Sequence, residues 1–307
     1  MDNNHETIRP KRKRETDAFP SSEGYMSTEY DGSEDSSEDE FTSDHKHALI
    51  ESEFFLDGTN QAVRIEIWVS PCAWLDDITA KCIHRGKTIG YAVAQFIYRG
   101  MITKDFWRKI DDCSQDVGEI AWRVFDRYGS LKDKYKSHPV HRGTGAWGSE
   151  LDNGPLLIIE KIFITDVEWR RKGVGRAMVK QLLVVGEKCG SSAKPRDMSP
   201  GLIALEFGSV TQFQKLTRVH AIVIPGWLIE NVEPQYITKS KRQRNEIDLQ
   251  ASNVAVSFYR SLGFRRIGSS PCFAYSFHPN HRARSILSNR DFDPQIESLD
   301  NQEDKSH

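Results

Sequence analysis

The chain has little that would staple it, span a bilayer or hold a metal. Its five cysteines, Cys72, Cys82, Cys113, Cys189 and Cys272, are odd in number, scattered and without a C-x-x-C pair. That pattern argues against a disulfide framework and a zinc site, and reads as reduced thiols. No apolar run approaches the roughly 20 residues that a membrane-spanning helix needs, and the first residues are polar where a secretory signal would turn apolar. The expectation is an intracellular protein with no membrane partner. Hydrophobic residues make up 38% of the 307, which is low enough to place part of the chain outside any core. There are no internal repeats.

Charge is where the chain is uneven. The net charge is -2, but residues 1–45 carry thirteen Asp and Glu against five Lys and Arg, and 279–307 carry six against four, which leaves about +8 on the middle. A basic body suits an anionic cofactor or an acidic partner. Residues 1–45 have no hydrophobic period and read as a disordered acidic tail. Within them, Arg9-Pro10-Lys11-Arg12-Lys13-Arg14 is a basic cluster of the nuclear-import kind, so the compartment is nucleus or cytoplasm. No base-reading element accompanies it, so nucleic acid ranks last among the partners. Residues 279–307 read as a second loose, polar tail.

Between the tails, from near Phe54, the pattern is that of one mixed α/β domain over 54–278. Val63, Ile65, Ile67 and Val69 alternate with polar neighbours as a half-buried strand. Ile78–His84 and Ile89–Tyr98 flank Arg85-Gly86-Lys87 and predict an antiparallel hairpin. Phe106, Ile110, Val117, Ile120, Ala121, Val124 and Tyr128 then share a face of one helix of about six turns, capped by Thr103 and ended by Gly129. Residues 130–155 are glycine-rich and without period. Trp147, His138 and His141 lie there, which reads as a wall or lid of a site. A second insertion covers 190–218. His220–Gly226 predicts a buried strand ending in a turn, parallel to the one at 156–164. A later helix carries Ile247, Ala251, Val254, Ala255, Phe258 and Leu262 on one face, with Gly263 as its stop.

The chemistry concentrates at 156–179. Leu156–Ile164 is a nearly unbroken apolar run of strand length. After it, Gly173 and Gly175 let the backbone bring N–H groups against an anion, among Arg170, Arg171, Lys172 and Arg176, while a helix starts at Val174. There is no Gly-Lys-Ser/Thr and no third glycine at the dinucleotide spacing, which sets aside two better-known phosphate motifs.

Arg170-x-x-Gly173-x-Gly175 resembles the acetyl-CoA loop R/Q-x-x-G-x-G/A of the GNAT superfamily of N-acetyltransferases. Residues 253–264 resemble that family's other signature, N-x-x-A-x-x-x-Y-x-x-x-G-F, read with Asn253, Tyr259, Gly263 and Phe264 in its places and Val256 where it has Ala. The resemblance implies a twisted, mostly antiparallel sheet with one splayed parallel pair. It also implies acetyl-CoA as co-substrate, with its pyrophosphate on the 170–176 loop, its pantetheine arm beside Phe163 and Ile164, and Asn253 on that arm. The activity implied is transfer of acetyl to an amine in a ternary complex, with Tyr259 as general acid to the leaving thiolate. A catalytically silent acyl-CoA-binding module is the other activity class. From the residues themselves, Glu160, a carboxylate inside an apolar strand, is the candidate base, with His220, His138 and His141 behind it. The stretch from Ile164 to Arg170 looks one residue long, as a strand bulge would make it.

Overall fold

A computed structural model of the protein describes residues 47–56, 61–102, 104–192, 219–226 and 236–294. The expectations for residues 1–45, for Thr103 as a cap, for 193–218 and for 295–307 lie outside the described residues. The described residues fall within one compact unit, Ser43–His307.

The architecture is mixed α/β. Strands β1 (His47–Phe55), β2 (Ala62–Pro71), β3 (Leu75–His84), β4 (Lys87–Ile97), β5 (Leu156–Phe163), β6 (His220–Val223), β7 (Arg265–Arg266) and β8 (Phe273–Ser276) form one sheet in the order β1-β2-β3-β4-β5-β6-β8-β7. The predicted hairpin is β3–β4. Arg85 and Gly86 take φ of 48° and 82°, the left-handed pair that a two-residue turn needs to match strand twist. All pairings are antiparallel except β5 with β6. The domain starts earlier than near Phe54. β1 pairs along β2, and Ile50 and Phe54 pack against the core from a stretch whose intervening Glu51, Ser52 and Glu53 obscure its pattern.

Helices cover both faces. On one, α4 (Val174–Ser192) and α5 (Lys241–Ser261) set Met178, Leu182, Val256 and Tyr259 onto Ile78, Ala94, Phe96 and Leu157. Ala177, Met178, Leu182 and Val185 are buried along α4, at the helical spacing of one apolar face. On α5 the stripe is rotated from the predicted one. Val254 is 46% exposed and Val256 is buried, because Ala255, Val256 and Tyr259 form the face that meets the sheet.

On the other face, the expected six-turn helix is two: α1 (Phe106–Asp111) and α2 (Gln115–Val124). Ser114 is extended, at φ -155° and ψ 158°, and its hydroxyl accepts from the Val117 N–H, so it caps a new helix and breaks the backbone while the apolar period runs on. The two helices follow the fourth strand, and they cover Ile97, Leu156, Ile158 and Ile222. A short α3 (Asp133–Lys136) lies beyond them.

Two segments are better ordered than their composition predicted. Residues 130–155 are tied down by Arg99, a buried side chain at the end of β4. Its guanidinium donates to the carbonyls of Gly154 (2.6 Å), Gly129 and Leu151 (both 2.8 Å) and Asn153 (2.6 Å). Burial lowers its pKa to about 9, and the nearby Asp152 opposes that fall, so it stays charged at neutral pH. The polar stretch from Pro279 to Pro294 is also folded, correcting the expectation of a loose tail there. It includes α6 (Arg282–Ser285), whose Ala283 is fully buried, and Asp291, which accepts from Arg260 Nε at 2.9 Å. Those charges read as solvated because their partners, Arg260 and Arg266, lie about 30 residues earlier.

Replacing Arg99 with Met would leave its carbonyl partners without their donor. The expected loss is about 3 kcal/mol or more of unfolding free energy, read as a lowered urea midpoint. A loss under about 1 kcal/mol would mean that water replaces the guanidinium at those carbonyls.

Candidate functional site

The site begins where a strand loses its partner. β5 and β6 are paired in parallel only at Leu156 with His220, Leu157 with Ala221 and Ile158 with Ile222. β6 then ends at Val223, while β5 runs on to Phe163 held by β4 alone. Beyond Ile158, the β6-facing edge of β5 therefore meets no strand among the described residues. Burial follows the same division: Leu156–Ile159 are buried and residues 160–164 only partly so.

The extra residue inferred for 164–170 lies instead inside β5. Val93 is opposite Lys161 and Ala94 opposite Ile159, so Glu160 is the bulged residue. A bulge breaks the ladder and turns the strand locally. Phe163 packs on Tyr91, with ring centroids 5.5 Å apart, and the Ile164 carbonyl accepts from Arg170 Nε at 3.3 Å.

At the open end of β5 the chain makes a tight turn into α4. Arg171 and Gly173 take φ of 60° and 87°, and α4 starts at Val174, with the first helical bond running from the Ala177 N–H to the Gly173 carbonyl. The N–H groups of Val174, Gly175 and Arg176 therefore open the helix without intrahelical partners, at its positive end. Space is available: a Cβ on Gly173 would have nothing within 4 Å, and one on Gly175 would meet only Phe258, at 3.7 Å. The cations have distinct duties. Arg170 braces the strand end, Arg176 donates to Ser261 Oγ at 3.1 Å, Lys172 sits 5.4 Å from the Trp169 ring centre, and Arg171 is exposed. Among the described residues none of the four forms an ion pair, and Lys172 is close enough to Asp166 to help Lys87 hold its pKa down.

α5 brings the second motif alongside. Tyr259 is buried between Phe258 (5.1 Å) and Phe264 (5.4 Å), and burial pushes its phenol pKa up, so it is protonated at any physiological pH. Its hydroxyl makes no hydrogen bond to a described residue. Phe258, read from the sequence only as part of the packing stripe, is the residue that touches the glycine loop. Asn253 is exposed, three turns inside the helix, so its predicted place is not at a helix start. Counted strictly back from Tyr259, the motif's Asn and Ala fall on Ser252 and on buried Ala255.

Glu160 faces α1 and α2. Its Oε2 accepts from the Ser114 hydroxyl at 2.7 Å, and its Oε1 is buried without a partner. Burial raises its pKa above the ordinary carboxyl range. The Ser114 bond pulls it back, Asp116 and Asp77 raise it again, and Lys161 lowers it slightly. Burial, with Asp77, Glu160 and Asp112 nearby, pushes the Cys113 thiol up to about 12, which keeps it from being a ready thiolate. Ser114 is the site residue that sequence reasoning missed. Its signal, an N-cap serine ahead of Asp116 in the first turn, was present, but its partner lies 46 residues away.

Several predicted residues lie elsewhere. Trp147 is buried and donates from Nε1 to the Arg265 carbonyl at 3.1 Å, so it is core and not a lid. His141 bonds Ser269 Oγ through Nδ1, and His138 accepts from the N–H groups of Val140 and His141. His220 is fully buried opposite Leu156, at the end of β5 away from Glu160, beside Trp147 and His281.

The chain matches no protein-family model, no curated protein and no solved structure.

Ser114→Ala should lower stability by about 1 kcal/mol through the lost cap. It should also shift the Glu160 carboxyl further upward, since the removed hydroxyl bond favours the charged form. Denaturant titration reads the first and carboxyl-selective NMR the second. An unmoved Glu160 would mean that the hydroxyl bond does not set its pKa.

Proposed function

We propose that this chain is an acetyl-CoA-dependent N-acetyltransferase of the GNAT type, acting by direct attack within a ternary complex. The observation that carries the reading is the interrupted parallel pair: β5 continues past the end of its pairing with β6, with a bulge at Glu160 and the N-terminus of α4 at its open end. Acetyl-CoA is a substrate here. Its pyrophosphate suits the α4 turn, where the helix opens with unpartnered N–H groups, Arg171, Lys172 and Arg176 are close in sequence, and Gly173 and Gly175 leave room. Its extended arm suits the unpaired edge of β5 near Phe163 and Ile164, since a strand edge offers N–H and C=O groups to any chain laid along it.

The transfer then follows from the groups at hand. The acceptor enters as an ammonium and gives one proton to Glu160, whose raised pKa makes it a better base than an exposed carboxylate, leaving a neutral amine. The amine nitrogen attacks the thioester carbonyl carbon, and a free N–H of the splayed strand can polarise the carbonyl oxygen. As the C–N bond forms, the C–S bond breaks and the sulfur leaves with its electron pair. It takes a proton from Tyr259, which burial keeps protonated; the new amide nitrogen then gives up its second proton to solvent and the tyrosinate regains one from solvent.

Thiol release from acetyl-CoA with an amine panel tests the reading. Release that depends on amine is expected, and CoA binding without release would leave the silent acyl-CoA-binding module instead. Tyr259→Phe should lower kcat by about 10² or more with little effect on the KM for acetyl-CoA. Full turnover would remove the tyrosine from the mechanism. Glu160→Gln should erase the acidic limb of the pH–rate profile, a limb placed above the usual carboxylate range. Gly175→Ala should keep its thermal stability, because the added methyl only touches Phe258 at 3.7 Å, yet weaken CoA binding about tenfold or more, equivalent to about 1.4 kcal/mol. Unchanged CoA affinity would remove the α4 turn as the anion site.

A further inference from the structure

The outer side of α1 and α2, turned away from the sheet, carries a cleft of about 470 Å³ lined by Trp107, Arg108 and Asp111 of α1 and Trp122 of α2. It lies there because each helix spends one face on the core. Phe106 and Ile110 of α1 and Val117, Ile120, Ala121 and Val124 of α2 are buried, which leaves the cleft residues on the opposite side. Trp107 is 36% exposed and Trp122 53%. Single exposed apolar residues are ordinary on a protein surface, whereas two tryptophans lining one cleft form a patch of the kind that another molecule covers.

The parts of the cleft are fixed before any contact is made. Trp107 Nε1 donates to the Phe125 carbonyl at the end of α2, at 3.3 Å. Lys132 Nζ donates to the Trp122 carbonyl at 2.5 Å and lies 6.0 Å from the centre of the Trp107 ring. The Asp111 carboxylate rests on α2 at Gly118, where an added Cβ would stand only 3.0 Å from Oδ1. A surface ordered in advance loses little freedom when a partner arrives.

Charge in the cleft is unspent, and in both signs. On α2, Glu119 and Arg123 satisfy each other one turn apart, with Arg123 Nε donating to Glu119 Oε1 at 2.7 Å. Arg108 and Asp111 stand one turn apart on α1, yet among the described residues neither forms an ion pair. A purely anionic partner would answer Arg108 and be repelled by Asp111, and a cationic one the reverse. A surface that presents one cation and one anion side by side is answered by its own image, because a two-fold axis sets Arg108 of each copy against Asp111 of the other.

We propose that the α1–α2 cleft is a two-fold contact between two copies of this chain, with the tryptophans of both at its centre and two reciprocal Arg108–Asp111 ion pairs beside them. Tryptophan and arginine are the residue types that most often carry the energy of such contacts. Rings that exclude water also strengthen the ion pairs next to them. The cleft that stands open in the single chain is then filled by the aromatic rings of the second copy. Its four lining residues are few beside the roughly 20–30 per side of a standard interface, so the dimer is a weak one, with a Kd on the order of 10 µM. The contact lies on the far side of α1 and α2 from the sheet, and it does not depend on the acetyltransferase reading.

The test is analytical ultracentrifugation of the full chain from about 1 to about 200 µM. The original chain is expected to pass from monomer to dimer across that range. Asp111→Arg places two cations in each cleft and Arg108→Asp two anions, so each variant alone should associate at least about tenfold more weakly. Both positions are exposed, so neither reversal disturbs the core. Mixed one to one, the two variants present opposite charges to each other across the axis and should form a heterodimer, a result that misfolding of either could not produce. The double variant Arg108→Asp/Asp111→Arg should dimerise as the original does, and Trp122→Ala should not. A chain that stays monomeric at about 200 µM, single reversals that dimerise as the original does, or a mixture of the two that stays monomeric would each overturn the proposal.

Discussion

The register between β4 and β5 is the constraint on which the rest of the site depends. β4 pairs along its length with β3 on one side and, over Tyr91–Ile97, with β5 on the other, so neither strand can shift without turning a buried face to water. Within that fixed ladder one residue too many is accommodated at Glu160. Before the bulge, β5 buries Leu156–Ile159 and keeps β6 as its parallel neighbour. After it, β5 retains β4 only, and the chain turns into the basic loop and α4.

The same strand separates two electrostatic environments. At its open end, Arg171, Lys172, Arg176 and the unpartnered N–H groups of α4 form a positive site with no carboxylate bound to it among the described residues. On its α1–α2 face, Glu160, Asp77, Asp112 and Asp116 form a negative one, in which Glu160 Oε1 is buried without a partner. Unpaired charge gathered by sign is costly to fold around. Two anchors hold these environments in place at a distance. Arg99 fixes residues 129–154 through buried carbonyls, and Arg260 with Asp291 fixes the segment after β8.

Much of the fold was legible in the residues. The β3–β4 hairpin, the central strand, the basic turn with α4 and the parallel strand at His220 follow from apolar periodicity and turn chemistry, which depend on neighbours in sequence. What failed did so for a common reason. The helix at 103–129 kept its period across a break, because side chains on α1 and α2 meet the same core while Ser114 caps a new start. Trp147 read as a lid because its partner, the Arg265 carbonyl, is 118 residues away. The stretch after Pro279 read as loose because its charges are satisfied from α5 and β7.

By itself the sequence determined the β3–β4 hairpin, the central strand, the strand at His220, the left-handed turn at Gly86 and the cations at the start of α4, since each of these is a property of adjacent residues. Tertiary structure alone decided that Glu160 is the bulged residue, that Ser114 holds it, and that Phe258 touches the glycine loop. Those relations cross strands and helices dozens of residues apart. Only the sheet register, enforced by burial on both faces, brings them together.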